Sequence, residues 1–189
     1  MKADKRGGEF GFLNDGCAEG TLISKAAEGD DKAFELLMKA HLKVIYNYIC
    51  IHVESKEDVQ DLVQETMLGV WSGLKYFRND SSFRTWVMGI TRRKVYDFYR
   101  SRYKTSELTM PEDEGSLVSE DEPDRLLETL DVNSAVNRLN SMEQELVFLA
   151  FNAQLTYQEI SEVTGIPLGT VKSRMSGVRS KLRKYLEKE

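Results

Sequence analysis

Apolar residues recur at spacings of three and four along most of the chain, and β-branched alternating runs are few. That periodicity predicts an all-α protein with no sheet. It lapses between about Thr105 and Asp131, where Pro111, Gly115 and Pro123 punctuate an acidic stretch. The expected architecture is therefore two small helical domains, 21–104 and 132–189, joined by a flexible acidic linker over 105–131. Residues 1–20 read as a mobile N-terminal tail in which Phe10, Phe12 and Leu13 could dock.

In the first block, Asp30 or Asp31 is placed to cap a helix running through about Ile51, with Phe34, Leu37, Met38, Leu42, Ile45 and Ile49 turned inward. Ser55 and Asp58 then make a capping-box pattern for a helix to about Leu74, whose inner face is Val59, Leu62, Val63, Met67, Val70 and Trp71. Its opposite side carries Asp58, Asp61, Glu65 and Leu68 in a row, an acidic stripe that a plain solvated helix face would resemble. The next helix runs from about Phe83 to Lys104 behind a Ser81/Ser82 cap. Phe83, Val87, Ile90, Thr91, Val95 and Phe98 fall on one side of it. Thr85, Gly89, Arg92, Arg93, Tyr96, Tyr99, Arg100 and Tyr103 fall on the other, with Trp86 at the border and closer to the core. Guanidinium groups neutralise phosphates and aromatic faces stack on unpaired bases whatever their identity, so this face suits single-stranded nucleic acid. The bland alternative is that the tyrosines pack on neighbouring helices and the arginines are solvated.

The second block is more specific. Ser141 with Gln144, and Thr156 with Glu159, predict helices starting at Met142 and Tyr157. The latter should stop at Gly165, which tolerates positive φ, and Pro167 suits the start of the next helix. There Val171, Met175, Val178, Leu182 and Leu186 form an apolar stripe beside Lys172, Ser176, Arg179 and Arg183. Ile160, Gly165, Ile166 and Val171 are spaced as the inner contacts of a helix-turn-helix, with Lys172, Ser173 and Arg174 near the end of the second helix that meets a major groove. A surface helical hairpin with a basic tail is the competing interpretation.

Charge changes this picture. The net charge of -5 argues at first against a phosphate-bearing partner. By segment, however, residues 81–104 carry seven basic and one acidic group and residues 170–189 carry seven and two, whereas 105–131 carry one and ten. Two basic segments are masked by one acidic linker. Cys17 and Cys50 are too few for a disulfide framework or a zinc site, and Cys50 and His52, two apart on a helix, do not share a face. No metal, cofactor or catalytic constellation emerges, nor any signal peptide or membrane-spanning run, so a cytoplasmic protein is expected.

Three segments carry a family resemblance. DLVQETMLGVW (Asp61 to Trp71), SFRTWVMGITRRKVYDFYR (Ser82 to Arg100) and LTYQEISEVTGIPLGTVKSRM (Leu155 to Met175) resemble the hallmark segments of the extracytoplasmic-function (ECF) group of bacterial sigma factors. The resemblance covers about residues 21–104 and 132–187. It implies an initiation subunit that binds core RNA polymerase at the β′ clamp helices and β flap, opens the -10 promoter element and reads the -35 element. By resemblance, Asp58, Asp61, Leu62, Gln64 and Glu65 map to core binding, and Arg78, Asn79, Asp80, Ser81, Arg92, Arg93, Tyr96 and Arg100 to the -10 strand. Pro167, Gly169, Thr170, Lys172, Ser173, Arg174, Ser176 and Arg179 map to the -35 duplex. Family members are often held by an anti-sigma factor. This chain departs from the pattern at Thr91 and Ser161, where alanine is common, at Arg93, where asparagine is common, and at Gly177, where a basic residue is common. Two rivals from other classes are a stand-alone helix-turn-helix regulator and an adaptor that sequesters a partner on its acidic helix.

Overall fold

The computed structural model describes residues 16–105 and 130–186, with side chains over 18–102 and 133–186. Residues 106–129 of the expected linker, Phe10, Phe12 and Leu13, and the Tyr103 side chain lie outside these, whereas Thr105 ends a helix and Leu130 and Asp131, assigned to the linker, begin one. Nine α-helices occur among the described residues: α1 Gly16–Ala27, α2 Asp31–Lys39, α3 Leu42–Cys50, α4 Lys56–Gly73, α5 Phe83–Thr105, α6 Leu130–Asn137, α7 Ser141–Val147, α8 Tyr157–Thr164 and α9 Leu168–Leu186. A 3₁₀ turn over Leu74–Tyr76 closes α4, and a π-turn over Phe148–Asn152 closes α7.

Four local expectations are corrected. Residues 16–20, assigned to the tail, belong to α1, whose Ile23 and Ala26 are buried as it packs on α2. The single helix expected from Asp30 to Ile51 is two, α2 and α3. His41 donates its N–H to the Met38 carbonyl at 2.9 Å in a tight turn, and its buried ring stands edge-on to Phe83 at 5.2 Å. The cap of α7 is Asn140 with Glu143, one residue earlier than the Ser141 pattern, and both halves of that capping box form. Leu186, assigned to the apolar stripe of α9, is exposed.

Elsewhere the chain obeys its local chemistry. The Asp30 side chain accepts from the Lys32 and Ala33 N–H groups, and that of Ser55 from Asp58 N–H. The Thr156–Glu159 capping box is complete, and Gly165 ends α8 at φ 72°, a conformation that costs a glycine nothing. Thr91, where alanine is common in the family it resembles, is fully buried and donates to the Val87 carbonyl at 2.9 Å. Ser161 donates to the Ile166 carbonyl at 2.6 Å and so ties the helix-turn-helix turn together.

Helices α1–α5 surround a core that includes Leu37, Met38, Ile45, Ile49, Leu62, Val70, Val87 and Met88. Helices α6, α7 and α8 all pack on α9. The two halves are not separate beads. Leu146, Phe148, Leu149, Ile160, Val171 and Met175 from the second half belong to the same apolar cluster as the first, across a seam where α5 meets α8. Burial of apolar surface favours this closure at roughly 25 cal/mol per Å² removed from water.

Candidate nucleic-acid interface

The turn after α4 and the start of α5 build a recess. Tyr76, Phe77, Arg78, Asp80, Ser81 and Trp86 line an open hollow of about 310 Å³. Asn79 bends the loop there with φ 57°, a left-handed conformation that asparagine adopts more readily than most residues. Trp86 packs on Phe77 at 5.0 Å and Phe83 at 5.7 Å, so the indole is both core and wall. Gly73 lets it approach: a Cβ there would lie 3.1 Å from Trp86 Cζ2. Tyr76 and Phe77 are the lining residues that the sequence reading missed, although an aromatic pair just before Arg78-Asn79-Asp80 was an available signal.

Along α5, Arg93, Tyr96 and Arg100 are exposed, as a binding face requires. Arg100 pairs with Asp97 at 2.8 Å, within its own helix. Arg92 is different. Its Nε donates to Glu145 Oε1 of α7 at 2.9 Å, its Nη2 to Tyr96 Oη at 2.9 Å, and its guanidinium lies over the Tyr96 ring at 4.3 Å. Desolvation works against its charge, but Glu145 and the neighbouring tyrosines outweigh that and raise its pKa. Thr85 is buried, and Tyr99 donates to the His52 carbonyl, so these two serve packing rather than an open surface.

The acidic stripe is exposed at Asp61, Gln64, Glu65 and Leu68, the last by 67%. Asp58 is half-buried and receives Arg102 at 2.9 Å, and Glu65 receives Lys94 at 3.1 Å, so α5 cations partly neutralise the row. Leu62 is corrected: at 3% exposure it sits in the core, on the face of α4 opposite the stripe, and cannot meet a partner directly.

On α9, Lys172, Ser173, Arg174, Ser176 and Arg179 are exposed, while Val171, Met175 and Val178 are buried beneath them. Pro167 and Gly169 are exposed and Thr170 half-buried at the helix start, where Thr170 and Val171 N–H groups donate to the Pro167 carbonyl. Arg179 reaches back to donate to Tyr157 Oη of α8. The second helix of the motif thus presents a polar, basic side over a packed apolar one, the geometry that lets a helix lie in a major groove.

Sequence comparison fits this layout. The Sigma-70 region 2 family matches residues 37–105 and the Sigma-70, region 4 family residues 135–184. The ECF RNA polymerase sigma factor SigC of Mycobacterium tuberculosis is 30% identical over 165 residues, which span 85% of this chain and 87% of that protein. The chain belongs to the ECF sigma factors. It is an alternative sigma factor, and sigma factors are transcription initiation factors rather than catalytic enzymes. The stand-alone regulator is set aside. The RNA polymerase sigma factor NccH of Alcaligenes xylosoxydans is 28% identical over 182 residues, 93% of this chain and 98% of that one. In fold, the chain resembles CnrH solved with the cytosolic domain of CnrY, with TM-score 0.64 and 24% identity over 91% of this chain and 99% of that one. Among the described residues no helix is long and apolar enough to cross a membrane.

Proposed function

We propose that this sigma factor divides its work between its two halves. Residues 21–104 bind core RNA polymerase and the opened -10 element, 105–131 link, and 132–189 read the duplex -35 element. The exposed row Asp61, Gln64 and Glu65, with Asp58 at its edge, docks on the polymerase clamp. The recess bordered by Arg78, Asn79, Asp80 and Ser81 receives an unstacked base, with Arg92, Arg93, Tyr96 and Arg100 along the strand. Unstacking costs a few kcal/mol, which aromatic walls and phosphate contacts offset. On α9, Lys172, Arg174 and Arg179 supply phosphate and base contacts, while Pro167, Gly169, Thr170, Ser173 and Ser176 bring the helix start close to the groove. The observation that carries this reading is the exposed basic side of α9, set over a buried apolar side behind the left-handed Gly165 turn.

Bond formation belongs to the polymerase, and the chain acts in the cytoplasm. An anti-sigma factor is a further partner: the fold neighbours CnrH and the Bartonella quintana sigma factor RpoE are each solved with a second protein, CnrY and the anti-sigma factor NepR respectively. Run-off transcription on native promoters tests the proposal. Specific product should appear only when core polymerase and this chain are both present. No gain on any native template, together with tight duplex binding by the chain alone, would overturn it.

A further inference from the structure

Arg179 stands apart from its neighbouring cation in what holds it. Lys181, two residues on, is paired with the Glu143 carboxylate at 2.6 Å. Arg179 is exposed, and among the described residues its partner is a neutral phenol: Nη2 donates to Tyr157 Oη, and the guanidinium lies 6.0 Å from the centroid of that ring, at the outer limit of a cation–π contact. Tyr157 is the first residue of α8, and its half-buried side chain packs against the core. A carboxylate would orient the guanidinium and cancel its charge. A phenol orients it, leaves the full positive charge available, and still has a proton of its own to donate.

Position points the same way. With about 1.5 Å of rise per residue, Arg179 lies about 16 Å along α9 from Leu168, against a major groove about 12 Å wide. In a helix-turn-helix the N-terminal residues of the second helix meet base edges, while the first helix crosses the sugar-phosphate backbone. Lys172, Ser173 and Arg174 therefore fall within the groove, whereas Arg179 lies past its rim and is tied to the helix that crosses the backbone. A guanine edge is read by a bidentate fork, and one prong of this fork is already turned to α8. We propose that Tyr157 and Arg179 form a clamp for one backbone phosphate of the -35 duplex, with Tyr157 as the positioning residue, and that Arg179 reads no base. The free guanidinium N–H groups and the phenol O–H are its donors, and a phosphate oxygen accepts from the guanidinium through charge-assisted bonds. The clamp rests on the assignment of α9 to promoter duplex made above.

The test uses holoenzyme assembled from core polymerase and the full chain, on duplex fragments of a native promoter that gives run-off product. Arg179→Gln should lower affinity about tenfold, by the same factor on fragments with the -35 bases shuffled, and should make the slope of log affinity against log salt shallower by about 0.9. On fragments carrying single methylphosphonates, which are neutral, one substituted phosphate should weaken the parent and leave Arg179→Gln unmoved. Tyr157→Phe keeps the ring and loses the hydroxyl; it should cost about threefold in the parent and nothing further beside Arg179→Gln, because the two side chains act as a unit. Arg179→Lys keeps the charge without the fork and should restore the salt slope but not the full affinity. The clamp is overturned if Arg179→Gln leaves affinity unchanged, if its loss is confined to the unshuffled -35 bases, or if Tyr157→Phe costs as much beside Arg179→Gln as in the parent. A contact that only staples α8 to α9 would lower the melting temperature and leave the methylphosphonate pattern at the parent's, which also overturns it. A parent chain that yields no run-off product on any native template would fail the promoter reading, and the clamp with it.

Discussion

Removing two exposed carboxylates of the α4 stripe, Asp61→Ala with Glu65→Ala, separates docking from folding. The structure sets the stability cost. Glu65 pairs with Lys94 at 3.1 Å, but the side chains are 56% and 34% exposed, so solvent screens the pair to a few tenths of a kcal/mol, about 1 at most. Both positions lie inside α4, and alanine has better helix propensity than aspartate or glutamate by up to about 0.7 kcal/mol. The two effects oppose each other, and the urea midpoint should stay at the parent value. At a polymerase interface the same carboxylates face a partner. Losing both should weaken core binding by about tenfold, or about 1.4 kcal/mol, and the deficit should shrink as salt is raised. Competition of labelled parent chain from core polymerase by the unlabelled variant measures it, alongside urea melts of both proteins. Unchanged polymerase affinity at low salt with an intact melt would refute the docking face. A lowered melt would refute the screening argument.

Other consequences follow from single contacts. Arg93→Ala or Tyr96→Ala should impair promoter opening more than duplex engagement, because both side chains are exposed on the α5 face; normal permanganate reactivity of the -10 thymines would count against that face. Gly177→Ala should stabilise α9 by up to about 1 kcal/mol, since a Cβ there meets nothing within 4 Å, and a thermal melt that does not rise would refute the open-space argument. His41 and His52 should make stability fall in acid. Desolvation lowers both pKa values; Glu19 opposes and Arg84 assists at His41, while Glu145 opposes and Arg92 assists at His52. The unfolded chain therefore takes up protons first, so their contribution is complete above about pH 6.5 and is lost as pH falls below it. Urea midpoints at about pH 7.5 and about pH 5.5 read this directly, and a flat profile that becomes no steeper with both histidines present than with both replaced would contradict it.

Much of the local structure was legible because it is written in short-range chemistry. A threonine three residues before a glutamate, a glycine at a helix end and a proline after it act within one or two turns, so α8, the Gly165 turn and the start of α9 stand as read. The break at His41 was not legible. Nothing local forbids a continuous helix there, and the ring is drawn inward by Phe83, forty-two positions away along the chain. The capping of α7 slipped by one residue because Asn140 and Ser141 are both competent caps, and the reciprocal bonds that form are those of Asn140 with Glu143.

The same division holds for function. Periodicity and segment charge by themselves determined an all-α chain with a basic aromatic helix, an acidic stripe and a basic helix-turn-helix, since each depends only on which residues share a helix face. The tertiary structure decided which of those residues face outward: Arg93 and Tyr96 remain exposed, Leu62 and Thr85 are buried, and Arg92 is held by Glu145. No sequence spacing links Tyr48, Arg92 and Glu145. They meet because the apolar faces of both halves gain more by closing on each other than by facing water, and that closure brings the buried carboxylate to its partners.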